Sequence, residues 1–554
     1  MADVKYADGT VAVTPDNRVG AGDLGEWDLV FTLEEEPLPP GSAIRISMPQ
    51  GFSPPQIDNP DAPGFVSASG SSGSSSISVS VDPFTAGEFD LHTGQGRTTG
   101  VTLYVERAPL KPQDRVTLAY GSSAGKAYAS SFSGLATFEV FVCTDGRAYP
   151  ERFFPVSAFP SLEVTSGVPH SLEVSAPSKG EPGSPLALRA ILRDRLGNRC
   201  VGWTGWFNIE CDLPGVHIPA SSRQEDHNGE GVLLPVSLGT DVQGVIRLRV
   251  TETETKLEGV SNPILVGDTT PLWGDLHACL PSDGDYQSTL DFELPVGPSP
   301  TLDQTSFNFH TETSPDTSLS GPGPLHYSLP DAGSDEMLSS HLLEIYSCWG
   351  NREFWGARRA DTHPLRHPDR TVHAVLSQGI IAGFAAGSNS RFGVAEDASR
   401  AEPGRGYRSG LTGVYAESAT QESLFQAMRE RRCFATSGPK IILRMDVSGN
   451  EMGKIVEVPA DRRDLRQERS VNITVNGTTR IDRIEVVRNN IEVCTYRGEG
   501  TDVAFQWTDR QDLDTISLPR HMGRGASTCY YFSRVIQEDG EIAWSSPVWF
   551  VLRG

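Results

Sequence analysis

The feature that most constrains the fold of this chain is a change in hydrophobic pattern near residue 268. Before it, apolar and polar residues alternate in short runs such as 77–81 and 101–105, and this two-residue spacing predicts half-buried strands. After it, short apolar strands alternate with amphipathic helices, for example a helix over 370–378 with Val372, Val375 and Leu376 on one face. That alternation is typical of a parallel sheet or barrel. Beyond residue 438 the runs are strand-like again.

We predict four domains from this pattern, within the three to five that a chain of 554 residues usually forms. In the second domain an apolar run at 186–192 leads into Asp-Arg-Leu-Gly-Asn at 194–198, which predicts a turn between strands. This strand and corner resemble the immunoglobulin-like modules of bacterial multidomain proteins. The four domains are an N-terminal β-sandwich over 1–165, an immunoglobulin-like β-domain over 166–267, an α/β domain over 268–438 and a C-terminal β-sandwich over 439–554.

The composition argues against several classes of binding partner and bears on the cellular location. A net charge of −24 and a pI near 4.9 make nucleic acid and anionic membrane surfaces poor partners. No run of about 18 apolar residues occurs, so we expect no membrane insertion. The first residues lack the basic and apolar segments of a secretory signal, and the eight cysteines show no Cys-x-x-Cys spacing. We therefore predict reduced thiols and a cytoplasmic location, although a mature secreted chain would look the same.

Two short segments come close to the pattern of a metal site. The run Trp-Gly-Asp-Leu-His-Ala-Cys at 273–279 has the form of a strand ending in His-x-His, in which two imidazoles share one face because side chains alternate along a strand. Here Cys279 stands at the second imidazole position after His277. A later run, Gly-Ser-Asn-Ser-Arg, has the form of an Asp-x-His loop with Asn389 and Arg391 at the ligand positions. The sequence therefore predicts either an enzyme or a protein that has lost an enzyme's site.

Four different segments of the chain, taken in order, form one set. They are Gly-Asp-Leu-His at 274–277, Glu-Ile-Tyr-Ser-Cys-Trp-Gly-Asn-Arg-Glu at 344–353, Gly-Ser-Asn-Ser at 387–390 and Arg-Arg-Cys-Phe-Ala-Thr-Ser-Gly at 431–438. Together they resemble the PHP (polymerase and histidinol phosphatase) superfamily, in its large multidomain branch of uncharacterised function, over roughly 270–554. The resemblance implies a distorted (β/α)₇ barrel that holds several metal ions and hydrolyses phosphoesters. We therefore expect a multidomain α/β plus all-β fold, in which a degenerate, shortened PHP-like (β/α) barrel is flanked by β-sandwich domains.

The resemblance also assigns ligand positions, and several of them hold the wrong residue. His277 matches the family's first histidine, Cys279 replaces the second, and His310 matches a later metal-binding histidine. Asn389 replaces an aspartate and Arg391 a histidine. Clustered divalent ions need anionic and imidazole ligands, and arginine cannot ligate a metal. We therefore expect no cofactor, or at most a single Zn²⁺ or other divalent ion held by His277, Cys279 and His310.

Two carboxylates near these positions lead to a second expectation. Without a metal ion, Asp275 and Glu344 would be buried anions, and a buried carboxylate needs a partner. Arg391 is one candidate, because its guanidinium would act as a charge plug in place of the lost ion. An ordinary structural ion pair is the alternative for Glu344, which lies on an apolar strand.

Two tryptophans and three histidines elsewhere are further candidate site residues. Trp203 and Trp206 would form a stacking platform for a ligand, but the core of a sandwich explains at least one of them. His363, His367 and His373 form a loose group that we expect at the surface.

Three functions are compatible with these observations. The first is a PHP-like protein with a degraded metal site, catalytically inactive or strongly altered, that acts in binding or assembly. The second is a metal-dependent hydrolase of a phosphoester or carbohydrate-like substrate that uses a reduced, single-metal site. The third assigns the function to the N-terminal β-domains, which would bind a glycan or a protein partner. We favour the first, because most of the metal ligands are replaced.

Overall fold

The computed structural model describes most of the chain, and it divides into two compact units. One unit is Met1–His170 with Arg193–Val201, and the other is Ser171–Leu192 with Gly202–Gly554. The described residues are 6–15, 18–49, 51–71, 76–81, 89–90, 95–96, 100–121, 124–144, 153–218, 223–226, 231–280, 287–293, 304–308, 326–328, 341–362, 368, 371–377, 379–387, 407–519 and 526–553.

The first unit consists of short strands. They are β1 (Thr10–Thr14), β2 (Val19–Gly20), β3 (Leu24–Gly25), β4 (Trp27–Thr32), β5 (Ala43–Ser47), β6 (Val66–Gly70), β7 (Ser76–Val81), β8 (Phe89–Asp90), β9 (Gln95–Gly96), β10 (Gly100–Glu106), β11 (Arg115–Tyr120), β12 (Ala127–Tyr128), β13 (Gly134–Thr137), β14 (Glu139–Cys143), β15 (Phe154–Pro155) and β16 (Ser161–Thr165).

Two antiparallel sheets of this unit enclose one core. One sheet has the order β1-β4-β11-β6 and the other β15-β14-β5-β10-β7. Alternate residues of both sheets are buried together, for example Leu29 of β4 and Ile44 of β5, as the pleat of half-buried strands requires. The two sheets form a β-sandwich, and the strands predicted at 77–81 and 101–105 are β7 and β10.

The second unit begins with the strands of the predicted immunoglobulin-like region and continues to the C-terminus. The strands of its first part are β17 (Ser171–Ser175), β18 (Lys179–Gly180), β19 (Pro185–Arg193), β20 (Trp203–Glu210), β21 (Val216–His217), β22 (Arg223–Asp226), β23 (Val232–Leu238), β24 (Gly244–Ile246), β25 (Arg249–Glu252), β26 (Glu258–Val260) and β27 (Ile264–Val266).

The second part contains the remaining strands and the helices. They are β28 (Leu272–Leu280), β29 (Gln287–Glu293), β30 (Gln304–Asn308), β31 (His326–Ser328), β32 (His341–Ser347), β33 (Gly350–Asn351), α1 (Val372–Ser377), β34 (Ala382–Ala386), β35 (Leu411–Val414), α2 (Gln421–Arg429), β36 (Cys433–Thr436), β37 (Ile442–Val447), β38 (Asn450–Glu451), β39 (Ile455–Val458), α3 (Arg463–Gln467), β40 (Arg469–Asn476), β41 (Ile481–Arg488), β42 (Ile491–Arg497), β43 (Asp502–Asp509), α4 (Leu513–Ile516), β44 (Thr528–Gln537), β45 (Ile542–Ser545) and β46 (Val548–Leu552).

The corner predicted at 194–198 is present at the end of β19. The Asp194 backbone N–H donates to the Asn198 carbonyl at 2.9 Å. The Asp194 carboxylate accepts from the backbone N–H groups of Leu196 and Asn198, both at 2.8 Å. A carboxylate that bonds the backbone two residues ahead is a common way to form such a turn, so the prediction is confirmed.

A large, mainly antiparallel sheet joins the third and fourth predicted domains. Its strand order is β30-β29-β28-β35-β36-β45-β44-β41-β42. The pairs β28–β35, β35–β36 and β36–β45 are all antiparallel. The parallel order predicted for 268–438 is therefore wrong for these strands, and the described strands do not close into a barrel. Hydrophobic spacing carries no information about which strand lies beside which.

One parallel unit does occur, between β32 and β34, with α1 on the connection. The helix predicted over 370–378 is α1, and Val372, Val375 and Leu376 form its buried side as expected. Side-chain hydroxyl groups accept hydrogen bonds from the backbone at the other edge of β34. The Phe384 N–H donates to Ser546 Oγ at 2.9 Å. The Ala386 N–H donates to Thr412 Oγ1 at the same distance. These hydroxyls satisfy buried backbone groups that a neighbouring strand would otherwise bond.

Arg247 links the immunoglobulin-like region to the C-terminal strands by an ion pair and hydrogen bonds. Its guanidinium bonds Asp502 through two nitrogens, at 2.7 and 2.9 Å, and donates to the Gly477 carbonyl at 2.7 Å. Burial opposes ionisation of Asp502, but the bonds from Arg247 and Asn476 outweigh it and hold the pKa of the carboxyl below its ordinary value.

Replacing Arg247 with methionine is therefore expected to lower the free energy of unfolding by about 1–2 kcal/mol, the usual loss for charge-assisted hydrogen bonds that are partly exposed. Urea unfolding of the wild type and the variant measures this change in the free energy of unfolding. Arg249→Met is the matched control, because Arg249 pairs with Glu258 at 3.4 Å on an exposed surface, and we expect no measurable change there. Equal effects of the two substitutions would contradict this role for Arg247.

Among the described residues, every helix is too short or too polar to cross a membrane. The predicted cytoplasmic location stays a prediction.

Candidate functional site

The structure describes the predicted metal positions unevenly. Asp275, His277 and Cys279 lie on β28, where the pairing with β29 gains one residue between Asp275 and Ala278. This bulge interrupts the regular two-residue alternation on which the argument for a shared face depends. His310, Asn389 and Arg391 lie outside the described residues, as do His363 and His367.

Glu344 is the one predicted site residue whose side chain is described. It lies on β32, is fully buried, and accepts a hydrogen bond from Arg352 Nη1 at 3.0 Å. Arg352 Nε also lies 3.3 Å from Asp361. A metal ligand would not fit this arrangement, because an ion at the carboxylate would have to displace the guanidinium. Glu344 therefore forms the expected ion pair with Arg352, and the charge plug at Arg391 stays a prediction because Arg391 lies outside the described residues.

A second buried carboxylate, Glu353, gathers donors from three elements. Arg534 Nη1 on β44 donates to it at 2.6 Å and Trp544 Nε1 on β45 at 2.8 Å. His373 Nε2 on α1 lies 3.4 Å away. Burial opposes ionisation of Glu353, but His373 and the charge of Arg534 outweigh it and keep its pKa below the ordinary value. Glu353 is therefore an anion at neutral pH.

His373 is not the surface residue that the sequence suggested. Its side chain is only 17% exposed, and its ring stacks on Phe354 with the centroids 5.3 Å apart. The guanidinium of Arg534 lies over the Phe354 ring, 5.5 Å from its centroid, a cation–π geometry. Phe354 thus packs against both an imidazole and a guanidinium.

The backbone of the same segment holds the start of α1. The Val372 and His373 N–H groups donate to the Arg352 and Glu353 carbonyls, both at 2.9 Å. The first N–H groups of a helix have no partner within the helix. Residues 352 and 353 supply carbonyl acceptors for two of them.

Arg359 makes a further ion pair in this region. Its guanidinium binds both carboxylate oxygens of Glu541, at 2.7 and 3.0 Å, and Ser437 Oγ donates to the same carboxylate at 2.6 Å. Two parallel bonds of this kind are the strongest form of an ion pair. Arg359 has a φ of 55°, the left-handed region that residues other than glycine rarely adopt.

The carboxylates of the described network are poorly placed to act as general bases. They are bonded by guanidinium, indole or hydroxyl groups, whereas a general base must be able to accept a proton from a substrate. Among the described residues, no three His, Cys, Asp or Glu side chains are close enough together to hold a metal ion.

Sequence reasoning missed Glu353, Arg534 and Glu541. Glu353 lies 181 residues from Arg534 along the chain, and no local pattern links two charges so far apart. The one available signal was the presence of charged residues inside strongly apolar strands, as with Arg534 in β44.

Comparison with known proteins finds one family model that matches part of this region and several relatives of part of the chain. The family model described as "Protein of unknown function (DUF3604)" matches residues 354–462. An uncharacterised protein of Chlamydia pneumoniae is 30% identical over 213 residues, which are 38% of this chain and 34% of the relative. An uncharacterised protein of Chlamydia trachomatis is 29% identical over 220 residues, with the same coverage of both chains. The chain thus spans about a third of the length of the curated relatives it matches.

Some solved structures are similar only at a low level. The adhesin InvE of Yersinia pseudotuberculosis is 13% identical and has a TM-score of 0.16, covering 50% of this chain and 66% of InvE. The Escherichia coli adhesin FdeC is 11% identical and has a TM-score of 0.20, covering 53% of this chain and 74% of FdeC. Likenesses this low carry no argument about function.

Proposed function

We propose that residues 268–438 are a degenerate, PHP-like domain whose metal site is degraded, and that the protein acts in binding or assembly. The proposal rests first on the sequence, where Cys279, Asn389 and Arg391 stand at positions that metal ligands occupy in the family. Catalysis by several clustered ions is disfavoured by these replacements, because an amide and a guanidinium cannot balance the charge of the ions.

The observation that carries the proposal is the pairing of Glu344 with Arg352. Both side chains are buried and lie 3.0 Å apart. A carboxylate on a strand of a metal-dependent hydrolase supplies negative charge to a cation. Here a fixed guanidinium already neutralises that charge, which supports a structural role for a residue in one of the four PHP-like segments.

The binding surface that we propose lies on the N-terminal β-domains, with a glycan or a protein as partner and no nucleic acid. Trp206 supports this in part, since 42% of it is exposed. It does not form a platform with Trp203, because the two residues are three positions apart on β20 and fall on opposite faces. Trp203 packs on Phe207 with the ring centroids 5.2 Å apart, so the core explains it.

Metal analysis tests the proposal directly. The protein is purified without chelators, dialysed, and its bound metals are measured by mass spectrometry. We expect at most about one divalent ion per chain, because the replaced ligands cannot hold a cluster. Two or more ions retained per chain would contradict the proposal.

Hydrolysis assays test the alternative, a hydrolase of a phosphoester or carbohydrate-like substrate with a single-metal site. Aryl phosphates and aryl glycosides are offered to the wild type, to His277→Ala and to His217→Ala, whose histidine is exposed on β21. We expect the same background rate in all three. A rate that falls in His277→Ala alone would establish the alternative.

A further inference from the structure

We propose that residues 351–361 form a strap that is held on the protein by charge and detaches as a unit when an ion pair to the body is lost. The proposal does not depend on the proposed function, because it concerns only this segment and the strands beneath it. The strap starts within β33, turns at Trp355 and Gly356, and returns to Asn351, whose N–H donates to the Arg359 carbonyl at 2.7 Å.

Three ion pairs attach the strap to three different places. Arg352 binds Glu344 on β32 at 3.0 Å. Glu353 binds Arg534 on β44 at 2.6 Å. Arg359 binds Glu541, the residue before β45, at 2.7 Å. Charged contacts thus fix the segment near both of its ends, beside the backbone hydrogen bonds that the Arg352 and Glu353 carbonyls accept from α1.

Apolar packing contributes less to the attachment. Phe354 is only partly buried, and Trp355 is 54% exposed at the turn. Buried ion pairs are no more stabilising than apolar packing of the same volume, but losing one partner leaves a costly buried charge. A segment held in this way is attached firmly while its charges are intact and weakly once one is removed.

The backbone of the strap also favours release. Arg359 is held in the left-handed region at φ 55°, a conformation that persists only where the surroundings enforce it. Its bond to Glu541 is one such restraint. Gly350, at φ 113°, allows the base of the strap to close, because a Cβ there would lie 2.6 Å from the Arg359 carbonyl oxygen.

Limited proteolysis with trypsin measures detachment, because the strap contains Arg352, Arg358 and Arg359 as cleavage sites. In the attached state the Arg352 carbonyl accepts from the Val372 N–H of α1 at 2.9 Å, and detachment breaks this bond and opens the backbone at Arg352 to a protease. Glu353→Gln keeps the shape of the side chain and removes its charge. We expect cleavage within the strap to rise about ten- to a hundredfold, the factor for losing a charge-assisted hydrogen bond.

Two further variants make the test decisive. Glu457→Gln is the matched control, because Glu457 pairs with Arg553 on an exposed surface, and its cleavage pattern should equal that of the wild type. Glu541→Gln removes a second anchor, should accelerate the same cuts, and decides the matter if Glu353→Gln does not fold. The proposal is overturned if neither variant changes cleavage in the strap, or if cuts elsewhere in the chain rise by the same factor.

Discussion

Replacing Arg469 with methionine is expected to lower the free energy of unfolding by about 3–5 kcal/mol, the usual loss when one partner is removed from a buried charge network. Arg469 is fully buried at the start of β40. Its guanidinium donates to groups of three neighbouring segments: the carbonyls of Leu465 and Arg466, the carbonyl of Gln511, and the hydroxyl of Tyr531.

The expected loss comes from acceptors that would remain buried without a donor. Arg466 O accepts from Arg469 at 2.6 Å and Leu465 O at 3.1 Å, both near the end of α3. The last carbonyls of a helix have no partner within it, so they depend on this side chain. Methionine has a similar length and is apolar, which limits the cavity and isolates the loss of the donors.

Urea unfolding at neutral pH measures the effect, and Arg510→Met provides the control. Arg510 pairs with Glu468 at 3.2 Å, but 75% of its side chain is exposed, so its removal should change stability by less than about 0.5 kcal/mol. An Arg469→Met variant within about 1 kcal/mol of the wild type would show that water or local rearrangement satisfies the carbonyls, against the expectation for a fully buried site.

Local features of the fold were predictable because their cause is local. The buried side of α1 followed from the spacing of Val372, Val375 and Leu376, and the corner at 194–198 followed from an aspartate before a glycine. The strand order was not predictable in the same way. β36 lies beside β45, more than a hundred residues later in the chain, and each strand would show the same apolar run beside any other partner.

The candidate site illustrates the same limit. Glu344 was identified because a carboxylate in an apolar strand requires a partner, and the choice between a plug and a structural pair depended on distance in space. The partner with a described contact, Arg352, is only eight residues away, yet nothing in the sequence distinguished it from Arg391. The resemblance to a metal-dependent family directed attention to ligand positions and away from Glu353, which has no counterpart among them.

Replacing Arg534 with methionine is the second large effect that we expect, again about 3–5 kcal/mol at neutral pH. Arg534 is the main cation facing Glu353, and it also bonds Glu485 on β41. Without it, the described partners left to Glu353 would be Trp544 and His373, and Glu485 would keep Arg483 at 2.6 Å. The loss should therefore arise mainly at Glu353, which would be a buried anion without its compensating charge.

The pH dependence of this loss distinguishes charge from packing. In the wild type the pKa of Glu353 is lower when folded than its ordinary value of 4.5, so this carboxyl contributes stability above pH 4.5 that disappears as the pH falls through the folded value. In Arg534→Met less of the cost of burial is offset, and the pKa of Glu353 should rise. The variant can then fold with Glu353 protonated, and the difference in stability between the two proteins should shrink as the pH falls below about 4.5.

Urea unfolding of both proteins at pH 7 and near pH 4 tests this expectation, with Arg480→Met as the control. Arg480 pairs with Glu538 at 3.1 Å on an exposed surface, so its removal should cost little at either pH. A difference between wild type and Arg534→Met that is the same at both pH values would mean that Arg534 stabilises the fold by packing on Phe354. A difference that shrinks with acid would assign its contribution to the charge of Glu353.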